Sequence, residues 1–171
     1  LGMTAGASTD WFVDPGTGNV TVNAPALIGA LDGDFIVAAR VEVGFRSSFD
    51  AGALVLWHDG KTWAKLAFEL SPQSQPMVVS VVTRGESDDC NSVPVRSGTL
   101  WLRIAHIGNA HAFHTSLDGQ NWQFVRYFRL GAAITPDIGF EVQSPLGDGC
   151  WARFSGIFYA PHAPADLRSG E

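Results

Sequence analysis

Residues 57–69 combine side chains that could bind or act on a polar ligand. The segment reads Trp-His-Asp-Gly-Lys-Thr-Trp-Ala-Lys-Leu-Ala-Phe-Glu, so an Asp-Gly turn leads into an alternating run typical of a strand. One parity of that run is apolar and suits a protein core. The other parity carries Trp63, Lys65 and Glu69. An indole, a cation and a carboxylate on one face of a strand indicate a candidate ligand site.

Two further predicted strands show the same division. Apolar residues alternate with Trp101 and Arg103 in segment 100–106, and with Glu141 and Gln143 in segment 138–143. Solvated faces with ion pairs would explain any one strand, but three together favour a ligand-binding groove. Aromatic faces beside planar hydrogen-bonding groups suit sugars, which offer C–H faces and hydroxyls. The predicted ligand-binding residues are Trp57, Trp63, Lys65, Glu69, Trp101, Arg103, Glu141 and Gln143.

A glycosidase is the alternative that these residues leave open. Glu69 and Glu141 could face each other as acid and base or nucleophile, which requires carboxyl groups about 5–5.5 Å or about 6.5–9.5 Å apart. Lys65 and Arg103 could equally neutralise the two glutamates in a structural network of ion pairs. The sequence shows no complete catalytic motif, so binding is favoured over catalysis.

Other motifs are weaker. Residues 87–91, Ser-Asp-Asp-Cys-Asn, offer oxygen ligands for calcium, but such runs are also common turn formers, and a turn is the favoured interpretation. Residues 116–122 predict a tight hairpin turn. The histidines lack metal-ligand spacing, and no phosphate-binding loop is present. We therefore expect neither a metal nor a cofactor.

Composition limits the classes of partner. The chain has 171 residues, of which 46% are hydrophobic and 16% charged, and this size and composition predict one globular domain. A net charge of −6 argues against nucleic acid, and no apolar run is long enough to span a bilayer. The first residues lack the features of a signal peptide. Cys90 and Cys150 could form a disulfide, but a domain of this size does not need one, so reduced thiols and with them the cytoplasm are favoured. A homodimer stays an open alternative.

Nineteen glycines, nine prolines and many short β-branched or aromatic runs predict an all-β domain. The expected strands cover residues 10–13, 20–23, 35–45, 53–58, 63–69, 78–84, 99–106, 110–116, 122–128, 137–143 and 152–159, and residues 26–31 are expected to form a brief strand or a loop. Residues 85–95 are predicted to be turn-rich, and residues 161–171 to be a loose C-terminal tail. About ten or eleven strands in one domain favour a sandwich of two antiparallel sheets. A curved sheet would give that sandwich a concave groove.

Several segments also carry a family resemblance. They include Phe-Asp-Ala-Gly-Ala-Leu-Val at 49–55, Ser-Val-Val-Thr-Arg-Gly-Glu-Ser-Asp-Asp at 80–89 and Gly-Phe-Glu-Val-Gln-Ser-Pro at 139–145, together with 63–69, 100–104 and 116–122. In this order they resemble the DUF1349 family of YesU-like and regulation-of-enolase-like proteins. The resemblance implies a concanavalin A-like lectin/glucanase jelly roll with a concave face.

The resemblance implies no defined reaction. The Glu-x-Asp-x-x-Glu cluster of the related glucanases is absent from this chain. The resemblance leaves Arg84, Ser87 and Asp88 as candidates for the groove mouth. We therefore expect binding of a carbohydrate or similar polyhydroxylated ligand, with a glycoside hydrolase and a regulatory protein-interaction module as alternatives.

Overall fold

Period-two alternation of apolar and polar residues produces an all-β architecture. The computed structural model describes residues 1–132, 134–168 and 170–171, and within them fourteen strands are present. The strands are β1 Gly2–Gly6, β2 Trp11–Val13, β3 Val20–Val22, β4 Ala26–Gly29, β5 Phe35–Val43, β6 Ala51–Asp59, β7 Thr62–Leu70, β8 Pro76–Arg84, β9 Glu86–Pro94, β10 Thr99–Ile107, β11 Ala110–Ser116, β12 Gln123–Phe128, β13 Asp137–Gln143 and β14 Gly149–Ala160.

Twelve of these strands form two six-stranded antiparallel sheets. Sheet I has the order β1-β14-β5-β10-β11-β12, and sheet II has the order β4-β13-β6-β7-β8-β9. The core lies between them, where Leu102 and Phe154 of sheet I meet Leu54, Leu66 and Phe68 of sheet II. Burial of these side chains is the main stabilising contribution to the fold. The predicted sandwich of two antiparallel sheets is confirmed.

The segment predicted to be turn-rich is instead an edge strand. Residues Glu86–Pro94 form β9, which pairs with β8 in a register that joins Val81 to Asp89 and Val79 to Asn91. Its polar composition suits an edge strand, which faces solvent and is not buried on both sides.

The described residues contain no group of three or more His, Cys, Asp or Glu side chains that could hold a metal ion.

Residues 161–171, expected to be a loose tail, make specific contacts with the outer face of sheet I. His114 donates a hydrogen bond from Nε2 to the carbonyl oxygen of Leu167 at 2.7 Å. Arg103 donates from Nη1 to the carbonyl oxygen of Gly170, also at 2.7 Å. The C-terminal segment therefore covers part of this face.

A small hairpin, β2–β3, lies across the outer face of sheet II. Trp11 packs there against Trp57 and Trp63, with ring centroids 4.6 and 5.8 Å apart. Ser87 of β9 accepts a hydrogen bond from the backbone nitrogen of Val13 at 2.9 Å. The hairpin thus turns an open sheet face into the wall of a cleft.

Among the described residues, no helix is long and apolar enough to cross a membrane.

Candidate functional site

Strand register places the polar side chains of sheet II in rows across its outer face. Gln143, Ala51, Glu69 and Met77 form one row across β13, β6, β7 and β8. The next row begins with Glu141 and continues through small or apolar residues to Asn91. The third row includes Lys65 and Asp89, and the fourth includes Trp57 and Trp63. Lys65 and Glu69 therefore share one face, as the alternation predicted.

Small side chains within these rows leave room for a cleft. Ala51, Ala53 and Ala67 lie at the centre of the face and are fully buried. The longer side chains around them rise above this floor, and the β2–β3 hairpin closes one side. The resulting cleft has a volume of about 380 Å³. Its lining consists of Asp10, Phe12, Phe49, Lys65, Glu69, Ser71, Pro72, Gln73, Met77, Val79, Val81, Asp89, Asn91 and Gln143.

Lys65 ties the hairpin and β13 to the centre of sheet II. Its Nζ donates hydrogen bonds to Gln143 Oε1 at 2.6 Å, the Trp11 carbonyl at 2.7 Å and Asp10 Oδ1 at 3.2 Å. An ammonium group has three donors, so all of them are used inside the protein. Gln143 in turn donates from Nε2 to the carbonyl oxygen of Phe49 at 3.1 Å. Both side chains therefore shape the cleft and have little capacity left for a ligand.

Phe49 has an unusual backbone conformation at the rim of the cleft. Its φ of 70° lies in the left-handed region, which a bulky residue rarely adopts. The conformation is held by a hydrogen bond from its nitrogen to the carbonyl oxygen of Leu70 at 2.7 Å. Such strain persists only where the surrounding structure enforces it, and it is concentrated at binding and catalytic sites.

Glu69 is the exception among the buried polar groups of the cleft, because its carboxyl group is unpaired. The side chain is 8% exposed and lines the cleft. Within the described part of the chain, no hydrogen bond to this carboxyl group is found, and Lys65 acts on it only through its charge. Burial raises its pKa from 4.5 to about 7, aided by the negative charges of Asp10 and Asp89. An unpaired buried carboxyl group facing a cleft can accept hydrogen bonds from a ligand.

Glu141 lies on the same face but does not reach the cleft. Its side chain is fully buried, and it is not among the residues that line the cleft. Neither carboxyl oxygen has a hydrogen-bond partner in the part of the chain that the structure describes, and burial raises the pKa of Glu141 to about 8. A carboxyl group without access to the cleft cannot contact a substrate there. The expected pairing of Glu69 and Glu141 as two catalytic carboxyls across one groove is therefore contradicted by the burial of Glu141.

The two tryptophans of the β6–β7 hairpin pack against Trp11 and do not line the cleft. Trp63 has no exposed surface and lies beneath Trp11, while Trp57 is half-buried against the same ring. A ligand can stack only on an accessible ring face. Trp63 therefore supports the hairpin, and Phe12 and Phe49 provide the aromatic surface of the cleft in its place.

Trp101 and Arg103 lie on sheet I, so the expectation that they line one groove with Lys65 and Glu69 is wrong. The alternation was interpreted correctly, since both point away from the core, but the outer faces of the two sheets are on opposite sides of the sandwich. The Arg103 guanidinium stacks on Trp122 at 4.3 Å, and burial lowers its pKa to about 10. The Trp101 ring packs closely over Gly119 and Gly156.

The predicted groove-mouth residues have separate structural contacts. Asp88 points to the side opposite the cleft and pairs with Arg126 at 2.8 Å, which links β9 to sheet I. Arg84 donates to the carbonyl oxygen of Arg129 at 3.3 Å. Ser87 lies on the cleft face but is buried, and its hydroxyl anchors the β2–β3 hairpin.

Sequence reasoning missed most of the cleft. Asp89 and Asn91 alternate with Ser87 on β9, and this period-two pattern would have placed them on the face of Glu69 had the segment been interpreted as a strand. Asp10 and Phe12 were assigned to a strand, but local sequence carries no signal for which sheet a short hairpin covers. Phe49 lies in a loop, where periodicity gives no information.

Comparison with known structures places the fold among carbohydrate-active and uncharacterised proteins. A functionally unknown protein from Saccharomyces cerevisiae is 22% identical, with a TM-score of 0.86. The superposed region covers 96% of this chain and 88% of the yeast protein. A xylan β-1,4-xylosidase from Bacillus halodurans is 13% identical, with a TM-score of 0.67. The superposed region covers 81% of this chain but only 30% of the enzyme. An alginate lyase from Klebsiella pneumoniae is 13% identical, with a TM-score of 0.54 over 94% of this chain and 67% of its own.

Identities this low show the shared fold alone. No curated protein matches the chain. The family described as proteins of unknown function DUF1349 matches residues 1–162, which is nearly the whole chain and includes every strand that builds the cleft. The resemblance found in the sequence is thus confirmed, and the chain belongs to the DUF1349 family.

Proposed function

We propose that the cleft on sheet II binds a carbohydrate or a similar polyhydroxylated ligand. The observation that carries the proposal is the unpaired carboxyl group of Glu69 at 8% exposure. A buried polar group without a partner is costly, and a ligand hydroxyl that donates a hydrogen bond would remove that cost. Asp89 and Asn91, both exposed on β9, offer further polar atoms along the cleft.

Apolar surfaces in the cleft support the same class of ligand. Phe12, Phe49 and Met77 line it beside the polar groups. Sugars combine C–H faces with hydroxyls, so they match a cleft that combines aromatic surface with hydrogen-bond acceptors. The fold similarity to a xylosidase and an alginate lyase is consistent with this class but, at 13% identity, does not carry the proposal.

Binding is favoured over hydrolysis because the carboxyl groups of the cleft do not form a catalytic pair. Glu141 is buried away from the cleft, and Asp10 is bound to Lys65. Asp89 lies on β9, two strands away from Glu69 and two rows further along the sheet. Glu69 alone has a pKa near neutrality, which suits a general acid, but glycosidases require a second carboxyl group at the scissile bond.

A glycan array followed by calorimetric titration tests the proposal. Phe12→Ala removes aromatic surface from the cleft, and we expect it to weaken binding of an array hit at least about fivefold. Tyr159→Ala is the matched control, because Tyr159 is an exposed aromatic residue of sheet I. Absence of saccharide binding by the folded protein, or equal loss in both variants, would refute the proposal.

A further inference from the structure

The cleft has an uneven balance of charge. Three carboxyl groups line it, those of Asp10, Glu69 and Asp89, and Lys65 is the only cationic side chain among the described lining residues. All three donors of Lys65 already bind protein acceptors. The cleft therefore offers a ligand several acceptors and no free cationic donor.

The carboxyl groups also act on one another. The negative charges of Asp10 and Asp89 raise the pKa of Glu69, and the charge of Glu69 raises the pKa of the buried Glu141 behind it. Like charges gathered on one face destabilise each other unless a proton or a cation neutralises them. Lys65 partly does so, but it is bound to Asp10. Among the described residues, Glu69 and Asp89 have no ion-pair partner of their own.

From this arrangement, and resting on the proposed function, we infer that the ligand carries a positively charged amine among its hydroxyls, as an amino sugar does, and that Glu69 binds this amine. An ammonium group would donate a charge-assisted hydrogen bond to the carboxylate, which is about twice as strong as a neutral one. Asp89 on the neighbouring strand would add favourable charge at longer range. An acidic sugar would instead bring a carboxylate to a cleft that has no free cation to receive it.

Protonation gives this inference a second signature. Near neutral pH Glu69 is partly protonated, because its pKa is about 7, and a bound ammonium group favours the ionised form. At a pH where the amine of the free ligand is already fully protonated, binding of an amine-bearing sugar should therefore release protons from Glu69. Its affinity should rise with pH through this range, until the amine of the ligand itself loses its charge.

The experiment compares three classes of glycan on one array, namely amine-bearing, neutral and acidic, and then titrates β-1,4-linked trimers of glucosamine, glucose and glucuronic acid. We expect glucosamine to bind about tenfold more tightly than glucose, from the difference between a charged and a neutral hydrogen bond, and glucuronic acid to bind most weakly. Glu69→Gln should abolish the preference for the amine, and titration in buffers of different ionisation enthalpy should then show no proton release.

Matched variants keep the result interpretable. Glu42→Gln changes a half-buried glutamate of sheet I, far from the cleft, and should leave the preference intact. If Glu69→Gln does not fold, Asp89→Asn on the exposed edge strand should reduce the preference for the amine in its place. Preferred binding of neutral or acidic glycans would overturn this inference alone, while binding of no glycan class would overturn the proposed function with it.

Discussion

Replacing Glu141 with glutamine should make the protein more stable at alkaline pH. The carboxyl group of Glu141 is fully buried, and burial raises its pKa from 4.5 to about 8. Between these values the native state holds a proton that the unfolded chain has released. The free energy of unfolding must therefore fall as the pH rises through this range.

The size of the effect follows from the two pKa values. The difference between 4.5 and about 8 corresponds to roughly 5 kcal/mol, at about 1.4 kcal/mol per pH unit. This is a large part of the stability of an ordinary domain, which is about 5–15 kcal/mol. Glu141→Gln keeps the size of the side chain and cannot ionise. It should match the wild type near pH 5 and exceed it by several kcal/mol at pH 9.

Urea denaturation at a series of pH values from 5 to 9 measures the effect. Glu69 titrates in an overlapping range, since its pKa is raised to about 7, so part of the slope should remain in the variant. Glu42→Gln, at a half-buried position of sheet I, serves as control and should follow the wild type. Equal slopes for wild type and Glu141→Gln would refute the reasoning, because they would mean that Glu141 does not release its proton on unfolding.

Three further predictions test other parts of the structure. Lys65→Met should destabilise the protein by about 3–5 kcal/mol, because it leaves Asp10 without its buried ion-pair partner, and denaturation curves measure this. His111 is neutral in the fold because burial lowers its pKa from 6.5 to about 4. The free energy of unfolding should therefore fall as the pH falls through this range, and in acid denaturation experiments His111→Phe should show a smaller fall. A thiol reagent should label the exposed Cys90 in the native protein. It should label Cys150, which is buried and has a pKa raised to about 12, only after unfolding, and intact mass measures both reactions.

The fold was predictable because period-two alternation reports burial directly. Leu66 and Phe68 were assigned to the core from their parity, and they lie there. The wrong predictions arose where alternation gives no information. It shows that Trp101 and Arg103 face away from the core, but a sandwich has two outer faces, and parity cannot distinguish them. That distinction depends on strand order, which is set by contacts distant in sequence.

The same limit explains why the roles of the cleft residues could not be predicted from the sequence. A strand pattern can place Lys65 and Glu69 on one face, but it cannot tell which of them has a partner. Asp10, whose carboxylate binds Lys65, is 55 residues away in sequence, and Gln143 is 78 residues away. Because these distant partners saturate the lysine, the glutamate beside it remains the polar group with capacity for a ligand. The functional difference between two neighbouring residues of β7 is thus created by the hairpin and by β13, not by β7 itself.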